Sequence, residues 1–177
     1  MDYKLKNGQT VIIRKPSVED AEGIINLIST ADSETKFLAR NVGEFNVTVE
    51  QEKAFITNIL NDDDAAWFVV ENEGKIVGHC SVGLVSKYER YRHRAEVTFV
   101  VLKDFCGLGL GGRLMQQCIE WCKAKNVTQI ELDVVSGNKR AIKMYEGFGF
   151  KVTGTIPKAM QYKDGSFADK LYMVLEL

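Results

Sequence analysis

Four glycines fall within six positions, and the residues after them have the pattern of a helix. They are Gly107, Gly109, Gly111 and Gly112, within the segment FCGLGLGGRLM. Glycine inside a helix lowers stability by about 1 kcal/mol relative to alanine. Four glycines this close together therefore indicate a function that needs backbone without side chains. Successive N–H groups in a glycine turn, together with the positive end of the following helix, form a site for an anion such as pyrophosphate. The segment therefore predicts a loop that binds a phosphate-bearing ligand.

A dinucleotide is one ligand that such a loop binds in other proteins. Gly107, Gly109 and Gly112 satisfy the G-x-G-x-x-G pattern. Asp133 follows at about the interval expected for a ribose-binding acid. That fingerprint, however, directly follows a strand and belongs to a sheet of several parallel units, whereas here LKDFC intervenes and only one such unit fits. A NAD-dependent oxidoreductase is therefore the weaker alternative, and a P-loop is excluded because no Gly-Lys-Ser/Thr follows.

A second group of residues lies on a predicted helix farther along the chain. The segment NKRAIKMYEGFGF places Asn138, Ala141 and Tyr145 at intervals of three and four residues, which puts them on one helical face. Gly147 or Gly149 then fits the end of the helix. On its residues alone, Tyr145 also fits a buried core aromatic whose hydroxyl is satisfied.

Together the two motifs resemble those of the GCN5-related N-acetyltransferases (GNAT), a family that binds acetyl-CoA. The first family signature, Gln/Arg-x-x-Gly-x-Gly/Ala before a helix, corresponds here to Cys106 through Gly111. The second is Asn, Ala and Tyr on the next helix, followed by Gly149-Phe150. Two positions depart from the family: Cys106 replaces Gln or Arg, and Lys103 replaces a common proline. Backbone amides supply most of the phosphate contacts in the family, so the resemblance still implies acetyl-CoA binding.

The resemblance also implies a set of cofactor-binding residues. In the family, the strand before the glycine loop splays away from the next strand and leaves backbone groups free for the pantetheine arm and the acetyl oxygen. The implied set comprises Phe99, Val100, Val101 and Leu102 on the strand, Gly107, Leu108, Gly109, Leu110, Gly111 and Gly112 in the loop, and Asn138, Ala141 and Tyr145 on the later helix. Acetyl-CoA is the implied co-substrate, and no metal is implied.

Acetyl transfer to an amine requires a base, an oxyanion site and an acid. A lysine-like amine has a pKa near 10.4, so less than about one part in a thousand is neutral at pH 7. Fixed donors must stabilise the carbonyl oxygen, and the departing thiolate benefits from a proton donor. By resemblance, Glu96 is the base, acting through water, and Tyr145 is the acid. Glu96 also fits a structural pair with Arg94 or with a neighbouring strand, so both interpretations stay open.

Composition and charge limit the class of protein. The chain has 177 residues, 45% hydrophobic and 27% charged, with a net charge of −1. We expect one domain over residues 1–177. The charge balance gives no reason to expect nucleic acid or an anionic membrane as partner, and the basic, aromatic segment 86–94 is interpreted as a solvated loop. With no leader and no apolar run of about 20 residues, we expect a cytoplasmic protein.

The cysteines and histidines do not have the spacing of a metal site. Cys118 and Cys122 share a helical face, but no His or Cys partner follows at a zinc-finger interval. We expect most of the four cysteines to be buried as small apolar side chains. Cys106, beside a helix start, also fits a thiol of lowered pKa.

The predicted elements form the frame that positions both motifs. Strands are expected over residues 9–14, 65–72, 75–85, 94–102, 127–135, 151–156 and 170–177, and helices after Ser17, after Thr48, after the glycine loop and over 137–150. Capping boxes mark the first two helices, and Glu73-Gly74 indicates a hairpin. This order predicts a mixed α/β (α+β) fold. The resemblance implies the GNAT form of it, a mostly antiparallel central sheet flanked by helices.

The acceptor amine is not identified by any motif. We expect segments 30–47, 86–94 and 156–167 to choose it. Candidate lining residues are Glu34, Phe37, Glu44, Tyr91 and Tyr162. The resulting hypothesis is an N-acetyltransferase that acts on a primary amine of a small molecule, peptide or protein, and family habit implies a homodimer. A non-catalytic acyl-CoA-binding module is the main alternative.

Overall fold

The computed structural model describes residues 1–177 and consists of an eight-stranded sheet with four α-helices. The strands are β1 (Asp2–Lys4), β2 (Thr10–Arg14), β3 (Ala65–Asn72), β4 (Lys75–Leu84), β5 (Arg94–Val101), β6 (Gln129–Val135), β7 (Lys151–Gln161) and β8 (Phe167–Glu176), and the helices are α1 (Ala21–Glu34), α2 (Val49–Leu60), α3 (Leu110–Ala124) and α4 (Lys139–Gly147). The strand order is β1-β2-β3-β4-β5-β6-β8-β7, with β5 and β6 parallel and the other neighbours antiparallel. The expected mixed, mostly antiparallel architecture is confirmed.

Local sequence signals account for the start of α2 and for the β3–β4 hairpin. The Gln51 N–H donates to Thr48 Oγ1 at 3.2 Å, and the Thr48 N–H donates to Gln51 Oε1 at 2.9 Å, which completes the predicted capping box. Glu73 and Gly74 adopt φ values of 50° and 77°, as a two-residue hairpin turn requires.

The structure differs from the sequence-based expectation at both ends of the chain. The short strand β1 was not predicted, because three residues of mixed polarity carry no clear periodicity. The final hairpin is longer than expected, since β7 continues to Gln161 and β8 begins at Phe167. Most residues of β7 are exposed, so its sequence shows little alternation of apolar and polar residues. In addition, Lys158 has a φ of 51° at the point where the register between β7 and β8 shifts. Much of the segment expected to be an acceptor loop is therefore strand.

The two faces of the sheet carry separate apolar cores. In β3, Trp67 and Val69 point into a core with α1 and α2, whereas Ala66 and Val70 point into a larger core with α3 and α4. This division follows from the two-residue period of a strand. Cys80, Cys118 and Cys122 are buried in the larger core, as predicted, and Cys106 is partly exposed. None of the helices combines the length and apolarity needed to span a bilayer.

Strands β5 and β6 pair over only three residues and then diverge. Arg94, Ala95 and Glu96 face residues 129–131, whereas β5 stays paired with β4 up to Val101. At the paired end, the buried carboxylate of Glu131 accepts hydrogen bonds from the Arg94 guanidinium on β5 and from a tyrosine on β8. This network fixes the point of divergence, and a gap opens between the strands beyond it.

Candidate active site

The glycine loop places free backbone donors at the start of α3. Gly107 and Gly109 have φ values of 80° and 92°, in the left-handed region that favours glycine. The N–H groups of Leu110, Gly111 and Gly112 belong to the first turn, where a helix offers no internal acceptor. With the helix dipole behind them, these amides form a site suited to phosphate oxygens.

The four glycines serve different purposes. A Cβ on Gly111 would lie 2.9 Å from Met144 Sδ on α4, and one on Gly112 would lie 3.8 Å from the Phe148 ring. Gly111 is therefore explained by close packing of α3 against α4, and only Gly107 and Gly109 by backbone conformation. Leu108 anchors the loop, because its carbonyl accepts the Lys6 N–H at 3.1 Å.

Two of the four implied strand residues direct backbone groups into the gap beside β5. The Leu102 N–H donates to the Val77 carbonyl, and its own carbonyl accepts the Phe105 N–H, both at 3.0 Å. Along an antiparallel strand, hydrogen-bonded and non-hydrogen-bonded positions alternate, so Val100 also faces β4. Phe99 and Val101 face the gap, and the Val101 carbonyl also accepts the Cys106 thiol at 3.7 Å. Leu102 has neither backbone group free for a ligand.

Tyr145 projects from α4 toward the same region. Its ring is buried, with centroids 6.3 Å from Phe99 and 5.8 Å from Phe150. The hydroxyl makes no hydrogen bond to protein, and no fully enclosed side-chain oxygen or nitrogen lacks a partner, so this hydroxyl reaches open space. Burial, with a smaller effect of the Asp133 charge, raises the pKa of Tyr145 to about 12. Tyr145 is thus a protonated hydroxyl at neutral pH.

Asn138 and Ala141 lie at the beginning of α4. Asn138 is the residue before the helix, and its side-chain oxygen accepts the Ala141 N–H at 3.3 Å. Asn138 therefore acts as a helix cap, and its side-chain NH₂ group is left without a protein partner. The cap fixes the start of the helix that carries Tyr145.

Glu96 lies on the opposite face of β5 from the larger core. It is exposed, forms no ion pair and stands across from Gly83 on β4. Arg94 pairs with Glu131 instead, so the interpretation of Glu96 as the partner of Arg94 is wrong. Glu96 lines a cavity of about 250 Å³, here called the outer cavity, which also contacts Lys87.

Two ion pairs hold the wall of the outer cavity. Arg92 donates to both carboxylate oxygens of Asp64, at 2.9 and 3.2 Å, and Lys87 lies 3.8 Å from Asp62. The acidic turn after α2 is thereby joined to the basic segment 86–94. Segment 86–94 was interpreted from the sequence as a solvated loop, and its positive charge is partly neutralised by Asp62 and Asp64.

A larger cavity of about 360 Å³, the inner cavity, adjoins the outer one beneath α2. The two share Ile59, Ser81 and Thr98, and the Ser81 and Thr98 hydroxyls are 2.7 Å apart at the junction. Its other lining residues are Ile28, Phe45, Val47, Gln51, Glu52, Phe55, Trp67 and His79. The two cavities form one groove on the α1–α2 face of the sheet.

None of the five residues proposed from sequence to line the acceptor site lines this groove. Glu34 accepts the Lys103 N–H at 2.7 Å, and Glu44 accepts hydrogen bonds from Asn41. Sequence reasoning also missed Glu52 and His79. The signal for Glu52 was available, since it lies four residues before Ile56 on the apolar stripe of α2.

Residues 31–150, more than half of the chain, match the family described as the Acetyltransferase (GNAT) family. The chain belongs to this family. The chain is 27% identical over 165 residues to an L-methionine sulfoximine/L-methionine sulfone acetyltransferase of Pseudomonas aeruginosa. The alignment covers 93% of this chain and 94% of that protein. It is 33% identical over 102 residues to the L-amino acid N-acetyltransferase AaaT of Escherichia coli, covering 57% and 62% of the two chains.

Solved structures show the same fold. A GNAT acetyltransferase from Streptococcus pneumoniae superposes with a TM-score of 0.88 at 24% identity, covering 94% of this chain and 99% of that one. The structure of yncA from Salmonella typhimurium, with its cofactor acetyl-CoA, superposes with a TM-score of 0.80 at 22% identity, covering 94% of each chain.

Family and relatives establish the class of reaction. The protein is an acetyl-CoA-dependent N-acetyltransferase. The dinucleotide interpretation of the glycines is wrong. Its fold requires a mostly parallel sheet, and here one strand pair is parallel, over three residues.

Proposed function

We propose that the acceptor is the α-amino group of a free L-amino acid or a close analogue. The observation that carries this proposal is the groove beside Glu96, whose inner cavity of about 360 Å³ has the volume of a small-molecule site. The similarity to an enzyme named for L-methionine sulfoximine and L-methionine sulfone, which extends over 93% of this chain, also supports it.

In the proposed mechanism, acetyl-CoA binds on the α3–α4 side of β5 and the acceptor binds on the α1–α2 side. Acetyl-CoA supplies the acetyl group when bound. The amides of the first turn of α3 would hold the pyrophosphate of acetyl-CoA, and the open edge at Phe99 and Val101 would orient its pantetheine arm and polarise its carbonyl group. Asn138 and Ala141 would contact the cofactor from the start of α4.

Glu96 accepts a proton from the substrate ammonium through water, which leaves a neutral nitrogen to attack the carbonyl carbon. As the new C–N bond forms, the nitrogen becomes positively charged and loses a second proton to solvent water. As the C–S bond breaks, the Tyr145 hydroxyl donates a proton to the departing sulfur. Tyr145 suits this step because its raised pKa of about 12 keeps it protonated until the thiolate appears. Tyr145 then regains its proton from solvent.

The test is release of the CoA thiol from acetyl-CoA with three classes of acceptor: free L-amino acids, a peptide with an N-terminal alanine, and spermine. We expect turnover with amino acids, slowed strongly in Tyr145→Phe and, at neutral pH, in Glu96→Gln. The peptide is included because an alanine N-acetyltransferase for a ribosomal protein, from Brucella melitensis, shares the fold with a TM-score of 0.80. Fastest turnover with the peptide or spermine contradicts the acceptor assignment. Binding of acetyl-CoA without turnover of any free amino acid also contradicts the acceptor assignment.

We also propose that the whole chain acts as one domain, in the cytoplasm, and associates as a homodimer. The extent of the structural matches, 94% of the chain, supports a single domain. Exposed apolar side chains on the last hairpin, Val152, Ile156 and Phe167, support association of two copies. Sedimentation equilibrium tests it: the wild type should sediment as a dimer and Val152→Ser/Ile156→Ser as a monomer.

A further inference from the structure

The buried face of α2 contains one carboxylate that has no partner. Glu52 is 4% exposed, four residues before the fully buried Ile56. It forms no hydrogen bond and no ion pair, and its burial raises the pKa of the carboxyl group. A buried carboxyl group without a partner destabilises the folded state, and an apolar residue would suit this position better. Its presence calls for a role other than packing.

A second buried polar side chain rises from the sheet below α2. His79 on β4 is 9% exposed, and the Trp67 Nε1–H donates to its Nδ1 at 3.0 Å. Trp67 can only donate, so neutral His79 must carry its own proton on Nε2. Burial, helped by the Arg40 charge, lowers the pKa of His79 to about 4, so the ring is neutral at physiological pH.

Both side chains direct their free polar atoms into the inner cavity. Glu52 and His79 line it, and neither the carboxylate nor Nε2 has a protein partner. No fully enclosed side-chain nitrogen or oxygen lacks a partner, so these atoms must meet the open space of the cavity. The remaining wall is largely apolar and includes Ile28, Phe45 and Phe55.

The charges around the inner cavity disfavour a charged occupant of either sign. An anionic group would meet the Glu52 carboxylate. A cationic group would meet the Nε2–H of His79 in a buried site that already disfavours a positive charge on that ring. Arg40, whose guanidinium stacks 5.1 Å from the centre of the Phe45 ring, is paired with the buried Asp32 at 2.9 Å, so this pair leaves no free carboxylate for a cation. A neutral group that carries both a donor and an acceptor satisfies Glu52 and His79 together.

The distance along β4 indicates the length of the occupant. Ser81 lies at the junction of the two cavities. His79 comes two residues earlier on the same strand, which places it about 7 Å from the junction. An amino acid whose amine lies at this junction therefore needs a side chain of four or five non-hydrogen atoms to reach His79. From the same junction, Glu96 lies across from Gly83, two positions farther on, within reach of the amine through a bridging water.

We propose that the inner cavity binds the side chain of the acceptor amino acid and selects an uncharged chain with an apolar stem and a terminal carboxamide or similar group. The terminal carbonyl accepts the Nε2–H of His79, and the terminal N–H donates to Glu52. This proposal rests on the proposed function, in which the acceptor is a free amino acid. Glu52 and His79 determine specificity and take no part in the proton transfers.

The experiment compares kcat/KM for four L-amino acids of similar length: glutamine, norleucine, glutamate and ornithine. We expect glutamine to be the best of the four, at least tenfold above norleucine. In Glu52→Leu, the glutamine-to-norleucine ratio should fall about tenfold or more while turnover of norleucine is retained. Glu50→Leu, an exposed glutamate on the same helix, is the matched control and should keep the wild-type ratio.

A second variant keeps the shape of the side chain and removes only its charge. Glu52→Gln should raise kcat/KM for glutamate relative to glutamine about tenfold, because the like charge that rejects the anion is gone. Glu52→Leu should also raise the Tm, since it replaces an unpartnered carboxyl with an apolar side chain.

Preference of the wild type for norleucine, glutamate or ornithine overturns the proposal, as does an unchanged glutamine-to-norleucine ratio in Glu52→Leu. Acetylation of the peptide or spermine with no turnover of any free amino acid has a different meaning. It overturns the proposed function and this proposal with it, whereas turnover of amino acids with the wrong preference overturns the side-chain assignment alone.

Discussion

The two sides of β5 recognise their ligands by different means. On the side of α3 and α4, the ligand groups are mostly backbone: the first-turn amides of α3 and the open edge at Phe99 and Val101. On the side of α1 and α2, the groove is lined by side chains such as Glu52, His79 and Glu96. A backbone site needs glycines and a fixed strand order, which leave a motif. A side-chain site leaves no motif, because any element of the fold can supply its members.

The largest effect is expected at Tyr145, the proposed proton donor. Tyr145→Phe should lower kcat about a thousandfold, because it removes the proton donor for the departing thiolate and leaves the ring packing intact. Because burial raises the pKa of Tyr145 to about 12, the wild-type kcat should show no fall from this group up to pH 10. Tyr88→Phe, at an exposed tyrosine, is the control. A loss below tenfold in Tyr145→Phe would remove the tyrosine from the mechanism.

On the acceptor side, stability should depend on pH through His79. The folded-state pKa of His79, about 4, lies below the ordinary histidine value of 6.5, so between these values the unfolded chain binds the proton that the folded protein excludes. Stability therefore falls as pH decreases from 6.5 to 4, by about 3 kcal/mol for this group. The raised pKa of Glu52 works in the opposite direction, because protonation on acidification favours the folded state.

Urea unfolding at a series of pH values measures this dependence. His79→Gln should flatten the slope between pH 6.5 and 4, since glutamine can accept the Trp67 N–H without titrating. His93→Gln, at the exposed histidine, should keep the wild-type slope. Equal slopes in the two variants would contradict the assignment to His79.

On the cofactor side, backbone conformation should matter more than side-chain volume. Gly109→Ala forces a side chain into a left-handed conformation and places its Cβ 3.2 Å from the Tyr3 hydroxyl. We expect the Kd for acetyl-CoA to rise about tenfold, because strain of 1–2 kcal/mol distorts the loop. Gly112→Ala meets only an ordinary contact and should change the Kd less than threefold by calorimetry. Similar Kd values for the two variants would argue against the loop as the phosphate site.

The smallest effect is expected at the wall of the outer cavity. Arg92→Ala breaks the exposed pair with Asp64, and such pairs contribute little to stability. We expect an unchanged Tm and a rise of about threefold in the KM for the acceptor, because the wall beside Glu96 loosens. Arg90→Ala on the same segment is the control. A change in the KM for acetyl-CoA, with no change for the acceptor, would contradict the assignment of this wall to the acceptor site.

The sequence predicted most of the frame because its signals are local. Both the Thr48–Gln51 capping box and the Glu73-Gly74 turn act within four residues, and each formed as expected. The strands 65–72 and 129–135 have apolar patterns that burial imposes directly. The short β1 and the exposed β7 are set by pairing with distant partners, so their own residues carried little signal.

The candidate site was predictable only where geometry is encoded in the backbone. The glycine loop was correctly predicted to lie at the start of a helix. The close packing that explains Gly111, however, depends on Met144 of a different helix. The partner of Arg94 was missed for the same reason, because Glu131 comes next to it only when β5 and β6 pair. Contacts between distant segments have no spacing rule, and the acceptor groove consists of such contacts.

The divergence of β5 from β6 also bears on aggregation. An unpaired strand edge normally attracts strands of other molecules, and proteins protect such edges by covering or charging them. Here the open edge lies within the sheet, between strands held on their far sides by β4 and β8 and closed at one end by the Glu131 network. A strand of another molecule could reach these groups only by entering between β5 and β6, not by adding to an outer edge of the sheet. The amides of Phe99 and Val101 therefore lie inside the sheet, and its outer edges are β1 and β7.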